Sequence, residues 1–414
     1  MKCRHCTQPL NLAMLDLGSA PPSNAYLSET SLHSSEIWYP LRVLVCQHCW
    51  LVQTEDYAGR ESLFTHDYAY FSSFSSSWLA HARMFVECAQ TRLGLNASTQ
   101  VVEIAANDGY LLQYVSAAGI PCYGIEPTAS TAAAARAKGL HIIERFFGVP
   151  LANELVESGR QADLIVANNV LAHVPDINDF VAGCARLLKT HGVATFEFPH
   201  LLRMVQGCQF DTAYHEHYSY LSLTAVKRIF HANGLVVIDV EQLPTHGGSL
   251  RVWAALADVP VSLNFHGKGI QRVQDLLAEE KVSGIQGSDF YSDFQSEALR
   301  VKHEFLAFLL QCQMQGKRVA GYGAAAKGNT LLNFAGVRPD LLPWVVDANP
   351  AKQGHFLPGS RIPIVDEQRL RCERPDYILV LPWNLRDEVA KQLSYVREWG
   401  GKLVVAVPNL EVLP

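Results

Sequence analysis

The sequence of 414 residues has few of the features that mark membrane, secreted or nucleic-acid-binding proteins. No hydrophobic run approaches the roughly 18–20 residues that a bilayer-spanning helix needs. The first ten residues, MKCRHCTQPL, contain no apolar signal core. Positive charge is not in excess, because 34 Lys and Arg are set against 40 Asp and Glu for a net charge of −6, which disfavours nucleic-acid binding. We therefore expect a cytoplasmic protein without membrane or nucleic-acid partners.

Cysteine is also scarce, because ten in a chain of this length are too few for a disulfide scaffold. Four of them form two Cys-x-x-Cys pairs near the N-terminus. In a reducing compartment such pairs are more often metal ligands, and four thiolates suit tetrahedral zinc with no open coordination position. Free thiols or a thiol redox pair are the alternatives. The predicted ligands of this structural zinc site are Cys3, Cys6, Cys46 and Cys49.

The rest of the composition, 49% hydrophobic and 18% charged, is that of a globular protein. Strand and helix patterns alternate over residues 101–199 and again over 318–408, which is typical of βαβ units with a parallel sheet. A polar, mostly helical stretch lies between them. We predict an α/β protein with three domains, at residues 1–80, 81–250 and 251–414.

The first α/β unit contains a ligand-binding type of loop. In VVEIAANDGYLL, residues 101–112, a strand runs into small residues and then a helix, so backbone N–H groups can approach a ligand. The loop lacks the G-x-G-x-x-G of dinucleotide binders and has the looser form of class I methyltransferases, with an acid after the next strand for ribose hydroxyls. A generic nucleotide-binding or structural turn is the alternative. The predicted S-adenosylmethionine (SAM) site comprises Glu103, Ala105, Asn107, Gly109, Glu126, Asn168 and Asn169.

Titratable side chains are concentrated in FDTAYHEHYSYLS, residues 210–222. His217 is the natural general base because its reference pKa is near neutrality. Glu216 would orient a neighbour, and Tyr214 would donate to a developing oxyanion. A second metal site and a polar surface strand are the alternatives for this stretch. Two further candidates are suggested by their positions. His173 follows the Asn pair, with a residue at a helix N-terminus as the alternative. Tyr68 or Tyr70 of the aromatic segment would form a lid over the cleft, with packing against the zinc lobe as the alternative.

Two later motifs predict contacts to phosphate. THGGSLRVW, residues 245–253, offers Ser249 as a donor and Arg251 as a charge for a diphosphate. GYGAAAKG, residues 321–328, places Lys327 where a strand enters a helix. A tight hairpin and a plain Rossmann turn are the respective alternatives.

Taken together, the motifs resemble, in the same order, those of the sugar C-methyltransferases of deoxysugar biosynthesis, of the tetronitrose, mycarose and novobiose types. The resemblance covers nearly the whole chain, and YHEHYSYLS and THGGSLR are specific to that family. It implies a zinc-binding lobe with an active-site lid, a class I SAM-dependent methyltransferase core and a C-terminal Rossmann-like domain that contributes to the nucleotide-sugar site. Two departures are Trp50 and Ala105, at positions where Gly is more frequent. The resemblance implies a family active site at Tyr68, His173, Tyr214, Glu216 and His217.

The implied activity is methylation of the carbon next to the ketone of a dTDP-4-keto-deoxysugar, with SAM as the donor. The chemistry of the candidate residues agrees with this activity. The α-proton of a ketone is too weakly acidic for an imidazole to remove without help. A carbon methyltransferase therefore needs a base and an oxyanion donor. The alternatives are a non-sugar carbonyl substrate and a zinc-stabilised scaffold with a vestigial methyltransferase site. The sequence gives no oligomeric state.

Overall fold

The computed structural model describes residues 1–57, 59–63, 71–259 and 267–413. In these ranges the strands are β1 (Leu12–Ala20), β2 (Tyr39–Val45), β3 (Val52–Thr54), β4 (Val101–Ile104), β5 (Cys122–Ile125), β6 (Ile142–Ile143), β7 (Ala162–Asn168), β8 (Leu188–Pro199), β9 (Ser219–Tyr220), β10 (Leu235–Leu243), β11 (Ser249–Leu256), β12 (Val319–Tyr322), β13 (Val345–Val346), β14 (Ile364–Val365), β15 (Tyr377–Val380), β16 (Lys402–Val405) and β17 (Glu411–Val412). The α-helices are α1 (Arg60–Leu63), α2 (Ser76–Leu93), α3 (Leu112–Ala117), α4 (Ala129–Ala137), α5 (Val149–Glu157), α6 (Ile177–Leu187), α7 (Leu201–Gln206), α8 (Leu223–Ala232), α9 (Lys268–Val282), α10 (Asp289–Ser292), α11 (Phe294–Met314), α12 (Ala326–Ala335), α13 (Gln368–Glu373) and α14 (Arg386–Gln392).

The first sheet is antiparallel and has the order β1-β2-β3-β9. Its last strand comes from a distant part of the chain, because Val52 and Gln53 pair with Tyr220 and Ser219. The predicted catalytic stretch at residues 210–222 is thereby joined by main-chain hydrogen bonds to the N-terminal lobe.

The central sheet has seven strands in the order β10-β11-β8-β7-β4-β5-β6. Alternate residues of β4 and β7 enter two separate buried clusters, Val102 and Ile165 in one and Val101 and Leu164 in the other. Since successive side chains of a strand point to opposite faces, the core lies on both sides of the sheet.

One strand of the central sheet departs from the predicted parallel arrangement. β11 is antiparallel to both β8 and β10. Only residues 244–248 separate β10 from β11, and a connection this short can form a hairpin but not a parallel crossover. The expected domain boundary at residue 250 falls inside β11.

The third sheet has the order β14-β13-β12-β15-β16-β17, parallel except for β17. It forms the second α/β unit expected from the sequence. Its buried cluster also includes Leu15 and Val43 of the first sheet, together with Phe305 of α11. The N-terminal lobe therefore packs against the C-terminal unit as well as against the central one.

Helix α2 buries the aromatic side chains of Trp78 and Phe85. The Ser75 side chain accepts a hydrogen bond from Trp78 N at its start, and Gly94 with φ of 66° ends it, as capping preferences predict.

None of the helices in the described ranges has the length and apolar character needed to cross a membrane.

Candidate active site

A cavity of about 340 Å³ lies where the three parts of the chain meet. The N-terminal lobe contributes Asn24, and α2 contributes Trp78. The central unit contributes the loops at the carboxyl ends of β4, β5 and β7, where α/β sheets bind ligands. The C-terminal unit contributes Lys327 and Lys352.

The four N-terminal cysteines converge in one group. All four Sγ atoms lie within 4.8 Å of one another, with Cys3–Cys49 at 3.5 Å and Cys6–Cys46 at 3.4 Å. Zn–S bonds of about 2.3 Å in a tetrahedron put sulfur atoms about 3.8 Å apart, whereas a disulfide needs about 2.05 Å. The donor set fits a structural zinc ion.

The two Cys-x-x-Cys turns share one backbone geometry. Thr7 N donates to Cys3 O at 2.9 Å, and Trp50 N donates to Cys46 O at 2.8 Å. Thr7 and Trp50 both adopt left-handed φ values, 61° and 64°, which explains why Gly is favoured after the last Cys. The Trp50 ring stacks on Tyr291 at 6.4 Å. Trp50 therefore adds packing and leaves the sulfur arrangement intact.

The loop after β4 contains residues in strained conformations. Ala105 and Asn107 have φ values of 58° and 48°, unusual for residues other than Gly, and both line the cavity. Asn107 N donates to Glu126 Oε2 at 2.9 Å. Backbone strain of this kind is concentrated at ligand sites.

Polar groups without protein partners face the same cavity. The Asn168 amide is buried, and neither its nitrogen nor its oxygen has a hydrogen-bond partner among the residues that the structure describes. Asn169 has a φ of 52°, and its Nδ2 donates to His246 Nε2 at 3.2 Å. Burial raises the pKa of Glu126, although hydrogen bonds from Thr128 and Asn107 act in the opposite direction. Orphaned buried amide atoms fit a site that a polar ligand such as SAM completes.

Two residues of the predicted SAM site lie behind the cavity. Glu103 is buried outside the lining, and burial raises its pKa well above the usual value. Gly109 also lies outside the lining; it has a φ of 76°, and a Cβ there would come within 2.3 Å of Leu140 Cδ1. Gly109 is thus required for close packing of the loop.

The predicted catalytic stretch places His217 beside Tyr214 of the same stretch and beside His173. His217 Nδ1 lies 2.8 Å from Thr212 O, and His217 Nε2 lies 2.6 Å from the Tyr214 hydroxyl. A carbonyl oxygen can only accept, so Nδ1 carries the proton and Nε2 accepts from Tyr214. The His173 ring is 4.6 Å from that of His217, and His173 Nδ1 donates to Glu216 O at 2.8 Å.

Burial keeps both imidazoles neutral. It lowers the pKa of His173 to about 4, and burial, followed by the nearby His173, lowers the pKa of His217 well below its usual value. The Glu216 carboxylate is buried and accepts from Asn24 Nδ2 at 2.5 Å. Tyr68 lies outside the described residues.

The alternative of a second metal site is not formed by this stretch. His215 Nε2 points to the Tyr39 and Pro40 carbonyls, at 3.3 and 3.2 Å, away from His217. Among the described residues, the four cysteines form the one group of metal-type ligands.

Of the three predicted phosphate contacts, Lys327 alone lines the cavity. Burial lowers the pKa of Lys327, whose Nζ donates to Asn384 Oδ1 at 2.9 Å. Ser249 Oγ donates to Thr245 O. The buried Arg251 guanidinium binds Glu197 at 2.8 Å. The structure does not bring Ser249 and Arg251 to the cavity, and the diphosphate clamp stays a prediction.

Sequence reasoning missed several residues of the lining. His246 belongs to the THGGSLR motif, in which the sequence points to Ser249 and Arg251. Its φ is 55°, and it lines the cavity from the tip of the hairpin. Burial, and then Lys327, lower the pKa of His246 to about 4. Lys352 and Asn24 carry no local signal, because they approach from other domains.

The strand order β6-β5-β4-β7-β8-β11-β10, with a ligand loop after β4 and a buried acid after β5, defines a class I SAM-dependent methyltransferase. Three family models match this chain: a zinc binding domain at residues 3–64, a methyltransferase domain at 80–240 and a C-methyltransferase C-terminal domain at 244–408. The C-methyltransferase NovU of Streptomyces niveus is 33% identical over 412 residues, which cover 100% of this chain and 96% of NovU. The chain belongs to the same family of SAM-dependent C-methyltransferases.

Other similarities are partial. A ubiquinone biosynthesis O-methyltransferase of Rhodopseudomonas palustris is 29% identical over 97 residues, 23% of this chain and 37% of its own length. The magnesium protoporphyrin IX methyltransferase structure from Synechocystis covers 44% of this chain and 82% of its own, with 15% identity and a TM-score of 0.33. The predicted family, α/β fold class, enzyme class, SAM cofactor and structural zinc are confirmed.

Proposed function

We propose that the chain methylates the carbon next to the ketone of a dTDP-4-keto-deoxysugar through an enolate, with His217 as the general base. The single observation that carries the proposal is the tautomer of His217. Its Nδ1 proton is committed to Thr212 O, so the lone pair on Nε2 faces the cavity beside the Tyr214 hydroxyl.

The base is in its reactive form at neutral pH because burial depresses its pKa. The same depression makes His217 a weaker proton acceptor, which raises the demand for enolate stabilisation. The Tyr214 hydroxyl, 2.6 Å from Nε2, is a donor that can turn to the ketone oxygen when substrate is present. Base and oxyanion donor are therefore supplied by adjacent side chains without a catalytic metal being required.

The methyl donor supplies an electrophilic methyl group at its sulfonium sulfur. In this chain Asn107, Glu126 and Asn168 would bind the donor, since they line the part of the cavity formed by the central sheet. Transfer to the enolate carbon is an in-line displacement that depends chiefly on positioning.

Positive charge from the C-terminal unit supports a nucleotide diphosphate as the part of the acceptor that the enzyme recognises. Lys327 lies in the first turn of α12, and Lys352 also lines the cavity. The helix N-terminus and the Lys327 ammonium attract phosphate, whereas Lys352 Nζ already lies 3.6 Å from Asp347 Oδ2. Ser249 and Arg251 are left out of this proposal.

Hydrogen exchange in the acceptor tests the enolate directly. Incubation of a dTDP-4-keto-deoxysugar in D₂O with the enzyme and S-adenosylhomocysteine should incorporate deuterium next to the ketone, as measured by mass spectrometry. We expect His217→Ala to abolish exchange and Tyr214→Phe to slow it about 10–100-fold. Exchange at the wild-type rate in both variants would rule out the assigned base and donor.

Binding decides the substrate class. Isothermal titration with S-adenosylhomocysteine and then with dTDP should give two compatible sites. Donor binding without dTDP binding would move the acceptor outside nucleotide sugars, to another carbonyl compound.

A further inference from the structure

Arg4 lies between two zinc ligands, Cys3 and Cys6, yet its side chain reaches away from the metal site. The side chain is only 4% exposed. Its guanidinium donates to Thr54 O at 2.9 Å and to Pro175 O at 3.1 Å. The same group lies over the Tyr218 ring, 5.2 Å from the centroid. One side chain thus contacts three separate segments.

Two of these segments carry the proposed catalytic histidines. Pro175 is two residues after His173, and Tyr218 directly follows His217. The third segment is β3, whose Thr54 Oγ1 donates to His217 O at 3.0 Å. Thr54 N also donates to Tyr218 O at 3.2 Å.

The backbone of Arg4 is itself fixed through the zinc site. Arg4 N donates to Gln53 Oε1 at 2.9 Å, and Gln53 Nε2 approaches Cys3 Sγ at 3.3 Å. Gln53 is fully buried in β3, beside β9. Hydrogen bonds to ligand sulfur are the kind of outer contact that orients metal sites. Cys3, Gln53 and Arg4 thus form one continuous connection from the metal-type ligands to the predicted catalytic stretch.

We propose that Arg4 is a positioning residue that couples the zinc site to the relative placement of His173 and His217. The proposal rests on the function proposed above for those histidines. The planar guanidinium can donate to two carbonyls while stacking on a ring, which a lysine ammonium cannot reproduce. Displacements near 1 Å at reacting groups reduce rates about 100-fold, so loosening this connection should lower turnover.

The chain offers a matched control. Arg228 of α8 is exposed, and its guanidinium donates to His48 O at 2.7 Å inside the second Cys-x-x-Cys turn. It ties the zinc lobe to the central unit without contacting either histidine segment. Arg228→Ala therefore tests docking of the lobe alone.

We expect Arg4→Ala to retain one zinc per chain and to bind S-adenosylhomocysteine within twofold of wild type. Its kcat should fall about 10–100-fold with an unchanged KM, Arg4→Lys should recover part of that loss, and Arg228→Ala should stay within twofold. A zinc-loaded Arg4→Ala with wild-type kcat would overturn the proposal. So would loss of zinc or of donor binding in both Arg4 variants, since the role would then be in folding alone.

A substrate-free measurement separates this proposal from the proposed function. Diethyl pyrocarbonate modification of the His173 and His217 peptides, followed by mass spectrometry, should be several-fold faster in Arg4→Ala than in wild type or Arg228→Ala. Equal rates would contradict the positioning role. If the wild-type enzyme leaves keto-sugars unchanged, the proposed function fails, and the labelling rates still decide the role of Arg4.

Discussion

Three imidazoles in one cavity are held neutral by burial. His173, His217 and His246 all line it, and burial depresses the pKa of each. A neutral imidazole can accept a proton, whereas three imidazolium ions in one small space would repel each other and any sulfonium ligand. At the scale of single residues, burial thus supports the base chemistry that we propose.

The depressed histidine pKa values predict acid sensitivity. Between a folded pKa of about 4 for His173 and an unfolded value near 6.5, the unfolded chain binds more protons, so the free energy of unfolding falls as pH falls. Between pH 7 and pH 5, protonation linked to His173 alone should lower the free energy of unfolding by up to about 2 kcal/mol. Urea unfolding at the two pH values measures the loss. His173→Gln should reduce it, and His191→Gln, which removes an exposed imidazole, should leave it unchanged.

Alanine substitutions at Gly109 and Gly119 distinguish the cost of backbone strain from the cost of steric overlap. Both have positive φ, 76° and 71°, but an added Cβ meets Leu140 Cδ1 at 2.3 Å only at Gly109, with nothing within 4 Å at Gly119. Gly119→Ala should cost about 1 kcal/mol, and Gly109→Ala a further 1–3 kcal/mol. Equal melting temperatures for the two variants would show that the loop after β4 can relax.

Sequence reasoning was most successful for residue types with local spacing. The Cys pairs are recognisable from spacing over a few positions, and their four thiols meet in the structure. The small-residue loop and the Tyr214–His217 stretch are also visible locally, and the roles of their residues stay predictions. Arg251 illustrates the limit, because a basic residue in a glycine-rich turn has the same local appearance whether it faces phosphate or a buried carboxylate. Glu197, the carboxylate with which Arg251 pairs in the structure, is 54 residues away.

At the scale of elements, β11 inserts a charged side chain into the central sheet. Arg251 of β11 pairs with Glu197 of β8, and His81 of α2 contacts the same carboxylate at 2.8 Å. Burial acts to raise the pKa of Glu197, but His81 and Arg251 together hold it below its usual value. Three elements are therefore joined at one buried carboxylate.

Removing Arg251 should therefore affect stability. Arg251→Ala leaves the Glu197 carboxylate with one fewer partner and should cost about 3 kcal/mol, measured by urea unfolding. Arg83→Ala breaks an exposed i,i+4 pair with Glu87 and should change stability by less than about 0.5 kcal/mol. Weakened dTDP binding with unchanged stability would instead favour the diphosphate clamp predicted from the sequence.

Alternation of strands and helices predicted both α/β units, since that pattern is written locally in hydrophobic periodicity. It did not predict that β11 is antiparallel, because strand direction depends on pairing across the sheet. Nor did it predict β9, whose two residues become a strand only by pairing with β3.

At the scale of the whole molecule, one cavity is assembled from three domains. Lys327 lies 158 positions after Asn169 in the sequence, yet both line the same space. Loops of the central sheet, where we propose that the donor binds, form one side, and the C-terminal unit contributes Lys327 to the other. The two ligands should accordingly respond to different mutations.

Lys327→Met should weaken dTDP binding about tenfold, a loss of about 1.4 kcal/mol, while S-adenosylhomocysteine affinity stays within twofold. The physical reason is removal of one buried ammonium from the cationic wall. Lys317→Met removes a lysine that pairs with Asp376 instead and is the control. Titration calorimetry of both variants with both ligands checks the assignment, and a parallel loss of both affinities would contradict it.

The pairing of β9 with β3 has a consequence for building chimeric enzymes. Main-chain hydrogen bonds between strands form with many different sequences. The contact of the Arg4 guanidinium with the Tyr218 ring, in contrast, needs these two side chains. A graft of residues 1–63 from a relative would import one half of that contact and leave the other half behind. Exchanges between family members should move the N-terminal lobe together with residues 210–222 as a two-segment cassette, although nearly 150 residues separate the segments in the chain.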